Sequence, residues 1–311
     1  MTETAGNGTR AGFAALIGAP NAGKSTLLNQ LVGQKEAIVT HKAQTTRSRI
    51  RGIAMEGDSQ IVLVDTPGIF PPKRRLDRAM VNAAWSGAGD ADVVCVIVDA
   101  VRTRPDHEGF VAMLDRVAAS GVPAVLVLNK VDEGPRENLF ALASAANARV
   151  SFVETFMISA LNGSGVADLR RALARLVPEG PWLYPGDQVA DLSRQLLASE
   201  ITREKLFLRL HEELPYAATV ETEAWTPRKD GSVRIDQVIY VERDGQKAIV
   251  LGKSGRTIKE IGQLARADIE DALEIKVHLF LFVKVRENWE NDPERYRMMG
   301  LEFPSGTASG T

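Results

Sequence analysis

The sequence predicts an α/β domain, with a mostly parallel sheet and helices on both faces, followed by a smaller α+β domain. Three observations carry this reading. Between residues 12 and 177, short β-branched apolar runs alternate with amphipathic stretches of helical spacing, the pattern of doubly covered strands joined by helical crossovers. Residues 178 to 186, PEGPWLYPG, then hold three prolines and two glycines, which break any period. Beyond them the rhythm becomes helix, strand, strand, helix, helix, strand over a normal domain length.

The elements follow in order. The polar start MTETAGNGTR, residues 1–10, has no apolar signal core and reads as a disordered lead-in. GFAALI (12–17) is the first strand and runs through a glycine-rich loop into the helix STLLNQLVG. QIVLVD (60–65), DVVCVIVD (92–99) and VPAVLVLN (122–129) are strands bounded by turn residues. RLDRAMVNAAW and HEGFVAMLDRVAAS are helices between them, and SFVETFMIS (151–159) with VADLRRALARLV completes a domain over 11–178. Residues 179–194 read as a linker. The second domain, 195–290, comprises the helix RQLLASEITREKLFLRLHEEL, the strands ATVETEAW and VRIDQVIYVER, the short helical run QKAIVL, the helix RTIKEIGQLARADIEDAL and the strand EIKVHLFLFVKV. Residues 291–311 form a tail whose Gly-, Ser- and Thr-rich end is expected to fray.

Composition narrows the class. With 44% hydrophobic and 25% charged residues, the chain can bury two ordinary cores. A net charge of −2 supplies no global field for nucleic acid or membranes, so any basic surface is local. The single cysteine, Cys95, lies inside the run VVCVIVDA and reads as buried and inert. No run reaches the ~18 apolar residues of a spanning helix, so a cytoplasmic location is the default. The four histidines are scattered without ligand spacing, leaving Mg²⁺ as the expected metal. PPKRR (71–75) reads as a solvated charge run in preference to a nucleic-acid contact.

GAPNAGKS, Gly18 to Ser25, fits G-x-x-x-x-G-K-S between a strand and a helix. Gly18 and Gly23 let the backbone curl so that N–H groups, including those near Ala22 and Thr26, converge on phosphate at the helix start. Lys24 reaches the β- and γ-phosphates, and Ser25 is a Mg²⁺ ligand. NKVD (129–132) ends a strand, where such a sheet binds its ligand. The Asp132 carboxylate can accept from N1–H and the 2-amino group, an edge that guanine has and adenine lacks. The Lys130 stem can lie along the base, and Asn129 can tie this loop to the phosphate loop. In the loop Ser159–Ala160–Leu161, the Ala160 N–H can donate to guanine O6. DTPG, Asp65 to Gly68 with Thr66 and Pro67, supplies a Mg²⁺ carboxylate, acting through water, and a Gly68 N–H for the γ-phosphate. Upstream, Thr45 and Thr46 offer the hydroxyl that closes over Mg²⁺, with Thr46 preferred. Segments 34–51 and 69–80 become two switch loops, ordered by GTP and loosened by GDP.

These motifs resemble the P-loop GTPases of the branch containing Era, MnmE and Der. In that branch a hydrophobic residue follows DTPG, and here Ile69 and Phe70 stand there. Neither side chain can orient a water, so slow intrinsic hydrolysis is expected. Asn21 matches a position that relatives use to help bind K⁺, a cation that would act as an arginine finger does.

A second glycine loop, GKSG, Gly252 to Gly255, does not repeat the first motif. Position 247 is Lys247 and the nearest upstream glycine is Gly245, so the spacing fails. Its surroundings resemble a type II KH domain, whose G-x-x-G loop clamps a single-stranded nucleic-acid backbone. Lys247, Lys253, Arg256 and Lys259 add positive charge around Gly252, Ser254 and Gly255, and no acidic residue interrupts 245–259. An apolar groove of Val250, Ile258 and Ile261 is expected to hold bases.

A GTPase domain joined to a KH domain resembles the bacterial Era GTPases over nearly the whole chain, including PEGPWLYP, ASEITREKL and VHLFLFVKV. The resemblance implies a GTP/GDP switch that binds the 3′ end of 16S ribosomal RNA and acts in 30S subunit maturation. It also implies a mostly monomeric protein, in part peripheral to the inner membrane. A switch acting on another RNA, or a membrane-peripheral cell-cycle regulator, stays open as an alternative.

Overall fold

The computed structural model describes residues 8–33, 50–72, 75–134, 136–186, 188, 193–210, 214, 217–287, 292–298 and 301–304. These fall into two compact units: one takes the chain up to residue 188 together with residues 297–304, and the other residues 193–296.

The first unit is built on a six-stranded sheet in the order β2-β3-β1-β4-β5-β6. Its strands are β1 (Arg10–Ile17), β2 (Ile50–Glu56), β3 (Ser59–Asp65), β4 (Val93–Asp99), β5 (Ala124–Asn129) and β6 (Thr155–Ile158). Only β2 runs antiparallel, against β3; the other pairings are parallel. β3, β4 and β5 are buried at every position, as strands covered on both faces must be. The covering helices are α1 (Lys24–Val32), α2 (Arg75–Gly89), α3 (Glu108–Ser120), α4 (Arg136–Asn147) and α5 (Val166–Leu176). Cys95 sits fully buried in β4, and burial pushes its thiol up to about 12, which makes it the inert residue expected.

The parallel register brings the carboxyl ends of five strands to one edge: Gly18 follows β1, Asp65 ends β3, Asp99 ends β4, Asn129 ends β5 and Ser159 follows β6. That edge is where ligands bind in such sheets.

Several boundaries differ from the sequence reading. β1 starts at Arg10, inside the expected lead-in, because Ala11 N–H donates to Pro178 O and Gly180 N–H to Thr9 O. β2 occupies residues placed in, or just after, the first switch loop, and α4 was not expected. The first part of the expected linker lies on this unit. The fully buried Gln60 side chain accepts from Leu183 and Tyr184 N–H and donates to Tyr184 O, while Trp182 Nε1 donates to Asp58 O. The tail does not fray at once: Leu301 is buried, and Arg75 lies 5.0 Å over the Phe303 ring.

The second unit begins with α6 (Arg194–Arg209), capped by Ser193, whose hydroxyl accepts from Leu196 N–H. Strands β7 (Thr219–Pro227), β8 (Val233–Val241) and β9 (Val277–Val285) form a three-stranded sheet in that order. β7 and β8 are antiparallel, whereas β8 and β9 are parallel and so need a crossover. The pair α7 (Asp244–Leu251) and α8 (Arg256–Leu273) supplies it. This topology is the one a type II KH domain requires. A short helix, α9 (Pro293–Met298), follows β9.

Candidate nucleotide site and nucleic-acid loop

The phosphate loop is shaped by contacts that only glycine permits. A Cβ on Gly18 would sit 2.3 Å from Ile97 O, and one on Gly23 would sit 2.1 Å from Asn129 Nδ2. Gly23 also caps α1 with φ 97° and no side-chain cap. The first N–H groups of the helix therefore face the loop rather than a capping oxygen, which suits an anion. Asn21 adopts φ 62°, a left-handed turn that asparagine tolerates.

Lys24 is almost wholly buried beneath this loop, and its ammonium donates to Gly18 O (3.1 Å) and Ala19 O (3.0 Å). Burial lowers its pKa to about 8, against the raising effect of the Asp65 carboxylate. Bound phosphate would restore the higher value, so binding takes up a proton once pH exceeds about 8. Nucleotide affinity is therefore expected to fall by about five- to tenfold between about pH 7.5 and 9. A titration of GDP binding checks this; a flat profile would mean that Lys24 keeps its proton in the empty site.

Ser25 Oγ donates to Asp65 Oδ2 at 2.7 Å, and both residues are buried. Two hard oxygens converging at the phosphate loop fit a Mg²⁺ ion. The third proposed ligand, Thr46, lies outside the described residues, as does Thr45. Within DTPG, Thr66 is fully buried and its hydroxyl donates to Leu16 O at 2.7 Å, which ties the start of the second switch to β1. Gly68 is buried against Pro20, where a Cβ would meet the Pro20 backbone nitrogen at 2.8 Å. Next to it, Ile69 N–H donates to Gly18 O at 3.0 Å. In the same segment Pro67 is buried and Phe70 is half-buried.

At the other end of the edge, Asn129 spans two loops. Its Nδ2 donates to Ala22 O at 2.8 Å, and its Oδ1 accepts from Ala160 N–H at 2.9 Å. The second bond adds to the sequence reading: the Ala160 N–H assigned to guanine O6 is held by Asn129, and the base would share or displace that bond. Asp132 is exposed at the mouth, Ser159 is fully buried, and Leu161 is 70% exposed on the rim. Lys130 takes φ 67° and pairs with Asp99 at 2.7 Å. Asp99 was not singled out in the sequence. The signal was its place as a polar residue ending an apolar strand, shared with Asp65 and Asn129.

In the second unit, the loop between α7 and α8 turns on Gly252 (φ 71°, ψ 173°), Ser254 (φ 54°) and Gly255 (φ 73°). A Cβ on Gly252 would lie 2.1 Å from Thr257 Oγ1, so this position has no room for another residue. Lys253, Ser254, Arg256 and Lys259 are exposed, and Lys247 is half-buried. The expected base groove needs correction: Val250 and Ile261 are fully buried in the core of this unit. Partly buried apolar surface packed against them comes from Ile258 on α8 and Leu281 on the edge strand β9.

Comparison with known proteins matches residues 13–130 to the family described as 50S ribosome-binding GTPase and residues 213–290 to the KH domain. A GTPase Era from Brucella suis is 65% identical over 97% of this chain and 97% of its own. One from Bradyrhizobium is 62% identical over 97% of each chain. Among solved structures, an alanine variant of Aquifex aeolicus Era bound to GDP and aluminium fluoride superimposes with a TM-score of 0.86. It is 36% identical, covering 94% of this chain and 99% of that one. Era in complex with MgGDPNP and nucleotides 1506–1542 of 16S ribosomal RNA gives a TM-score of 0.87 at 36% identity, with the same coverage.

Proposed function

The chain belongs to the Era GTPase family, and from that membership we propose that it is a GTP-hydrolysing switch that grips the 3′ end of 16S ribosomal RNA during 30S subunit maturation. The observation that carries this reading is the presence in one chain of two backbone-lined phosphate sites. One holds a buried lysine at the carboxyl edge of a parallel sheet, and the other is an exposed basic G-x-x-G turn in a KH unit.

In the first site, Lys24 would exchange the Gly18 and Ala19 carbonyls for the β- and γ-phosphates, while Gly18, Asn21, Ala22, Gly23 and Thr26 present backbone around them. Ser25, Asp65 and Thr46 would hold Mg²⁺, which when bound neutralises phosphate charge. Asp132 selects guanine, the Lys130 stem covers the base, and Asn129 fixes the distance between the base loop and the phosphate loop. Ala160 N–H, oriented by Asn129 Oδ1, donates to guanine O6 when the base is bound. The second switch, from Gly68 through Ile69 and Phe70, offers no side chain to orient the attacking water, so unassisted turnover is slow.

A K⁺ ion beside the phosphates is placed at Asn21, which lies in the phosphate loop in a left-handed turn. Hydrolysis is then expected to run roughly tenfold faster in K⁺ than in Na⁺, a change of about 1.4 kcal/mol in the barrier. In Asn21→Ala the two rates should converge. Equal rates in the unaltered protein would remove K⁺ from the mechanism.

In the second site, Gly252 and Gly255 admit the RNA backbone, while Lys253, Arg256, Lys259 and Lys247 meet its phosphates. The domain limits 11–178 and 195–290, moved out to Arg10 and Arg194 by the starts of β1 and α6 and with residues 179–186 lying on the first unit, belong to the same proposal. We place the protein as a monomer in the cytoplasm with the small subunit. No described helix is long and apolar enough to cross a membrane. Sequencing RNA crosslinked to the protein in cells tests the main reading. Recovery of the 16S 3′ end is expected, and its absence would sink the proposal.

A further inference from the structure

Asp99 is bound on three sides. Its Oδ1 accepts from Val101 N–H and Arg102 N–H, both at 3.0 Å, and its Oδ2 accepts from Lys130 Nζ at 2.7 Å. It ends β4 directly beside Asn129 at the end of β5, and Ala100 N–H donates to Asn129 O at 3.0 Å. The carboxylate therefore cannot swing away from Lys130 without breaking its own turn.

Lys130 is held from the other end as well. Its backbone is in the left-handed region, between Asn129, which is bonded to both flanking loops, and Val131, whose N–H donates to Ile158 O. With backbone and ammonium both held, the methylene stem between them loses most of its rotamer freedom beside the loop that carries Asn129 and Asp132. We propose that Asp99 is a positioning residue for guanine nucleotide binding. It holds the Lys130 stem in place as the apolar surface on which the base lies, and it keeps the ammonium away from the Asp132 carboxylate.

The physical gain is preorganisation. A lysine side chain carries about 2 kcal/mol of rotamer entropy, and an anchored one has given this up before the nucleotide arrives. The ion pair is also largely sheltered, with side-chain exposures of 21% for Lys130 and 8% for Asp99, so solvent screens it less than a surface pair. This inference rests on the guanine-site reading above and adds a residue to it.

The test uses the full chain and a fluorescent GDP analogue. Asp99→Asn retains an oxygen for the Val101 and Arg102 N–H groups but loses the charge that holds Lys130. Dissociation is expected to speed up about tenfold. GDP and GTP should weaken by the same factor, because the base end is common to both, so KM rises while kcat stays unchanged. The ratio of GDP to XDP affinity should not move. In a Lys130→Met background, Asp99→Asn should add nothing. Unchanged dissociation, losses that add in the double variant, or a fall in kcat at saturating GTP would overturn the inference. Should Asp99→Asn fail to fold, Asp99→Ser, which keeps an acceptor for the turn, is read in the same way. If the unaltered protein does not prefer GDP to ADP, the guanine-site reading itself fails; if it does and the variants are silent, only the role of Asp99 fails.

Discussion

Asp132→Asn is expected to convert the protein from a guanine to a xanthine nucleotide binder, with GTP affinity falling by about 100-fold or more. The carboxylate lies exposed at the mouth of the site, three residues past the end of β5 at Asn129. It offers two acceptors to two donors on guanine, N1–H and the 2-amino group. Hydrogen bonds to a charged acceptor are worth about 1.5–3 kcal/mol each. A carboxamide keeps one acceptor and turns a donor toward the second guanine donor, so one bond weakens and the other becomes a repulsion. Xanthine carries a carbonyl where guanine has its amino group and accepts from that donor. Competition binding with GTP and XTP reads the exchange. Unchanged GTP affinity would show that another group reads the base. The contrast with Asp99→Asn is diagnostic, since that variant should weaken both nucleotides without altering their ratio.

The second large effect is expected at the other glycine loop. Replacing Lys253 and Ser254 together with aspartate should abolish binding of a single-stranded RNA ending in the 16S 3′ sequence, while GDP and GTP binding stay as they were. Both side chains are exposed, and Ser254 sits at φ 54°, a conformation that aspartate accepts. The variant should therefore fold. The loop loses one positive charge and gains two negative ones where the phosphates would pass. Affinity is expected to drop more than about 100-fold, and the dependence of any residual binding on salt should become shallower by about one phosphate contact. Retained RNA affinity would mean that the backbone clamp lies elsewhere on the unit.

Much of this was legible in the chain itself. β4 and β5 are unbroken apolar runs, and each ends in a polar residue that the site uses. β2 was not legible, because IRGIAME mixes charged, small and apolar residues and pairs antiparallel at the sheet edge. Its Gly52 is explained only by α1: a Cβ there would meet Val32 Cγ2 at 2.6 Å. The buried Gln60, which holds Tyr184 more than a hundred residues later, has no local signature at all. Helical spacing identified Val250 and Ile261 as apolar positions but could not say whether they face a groove or a core.

By itself the sequence determined the two domains, the order of the nucleotide motifs and the failure of GKSG as a second phosphate loop. Those depend on residue type and spacing along the chain, and a family resemblance reads them directly. Tertiary structure decided which hydrogen bonds are already spent and which charges are desolvated. It gave Ala160 N–H to Asn129, Lys130 to Asp99 and Thr66 to the core, and it lowered the pKa of Lys24 by burying it. A donor goes to the acceptor nearest in space, and a charge loses its water to whatever packs around it. Neither distance is written in sequence separation.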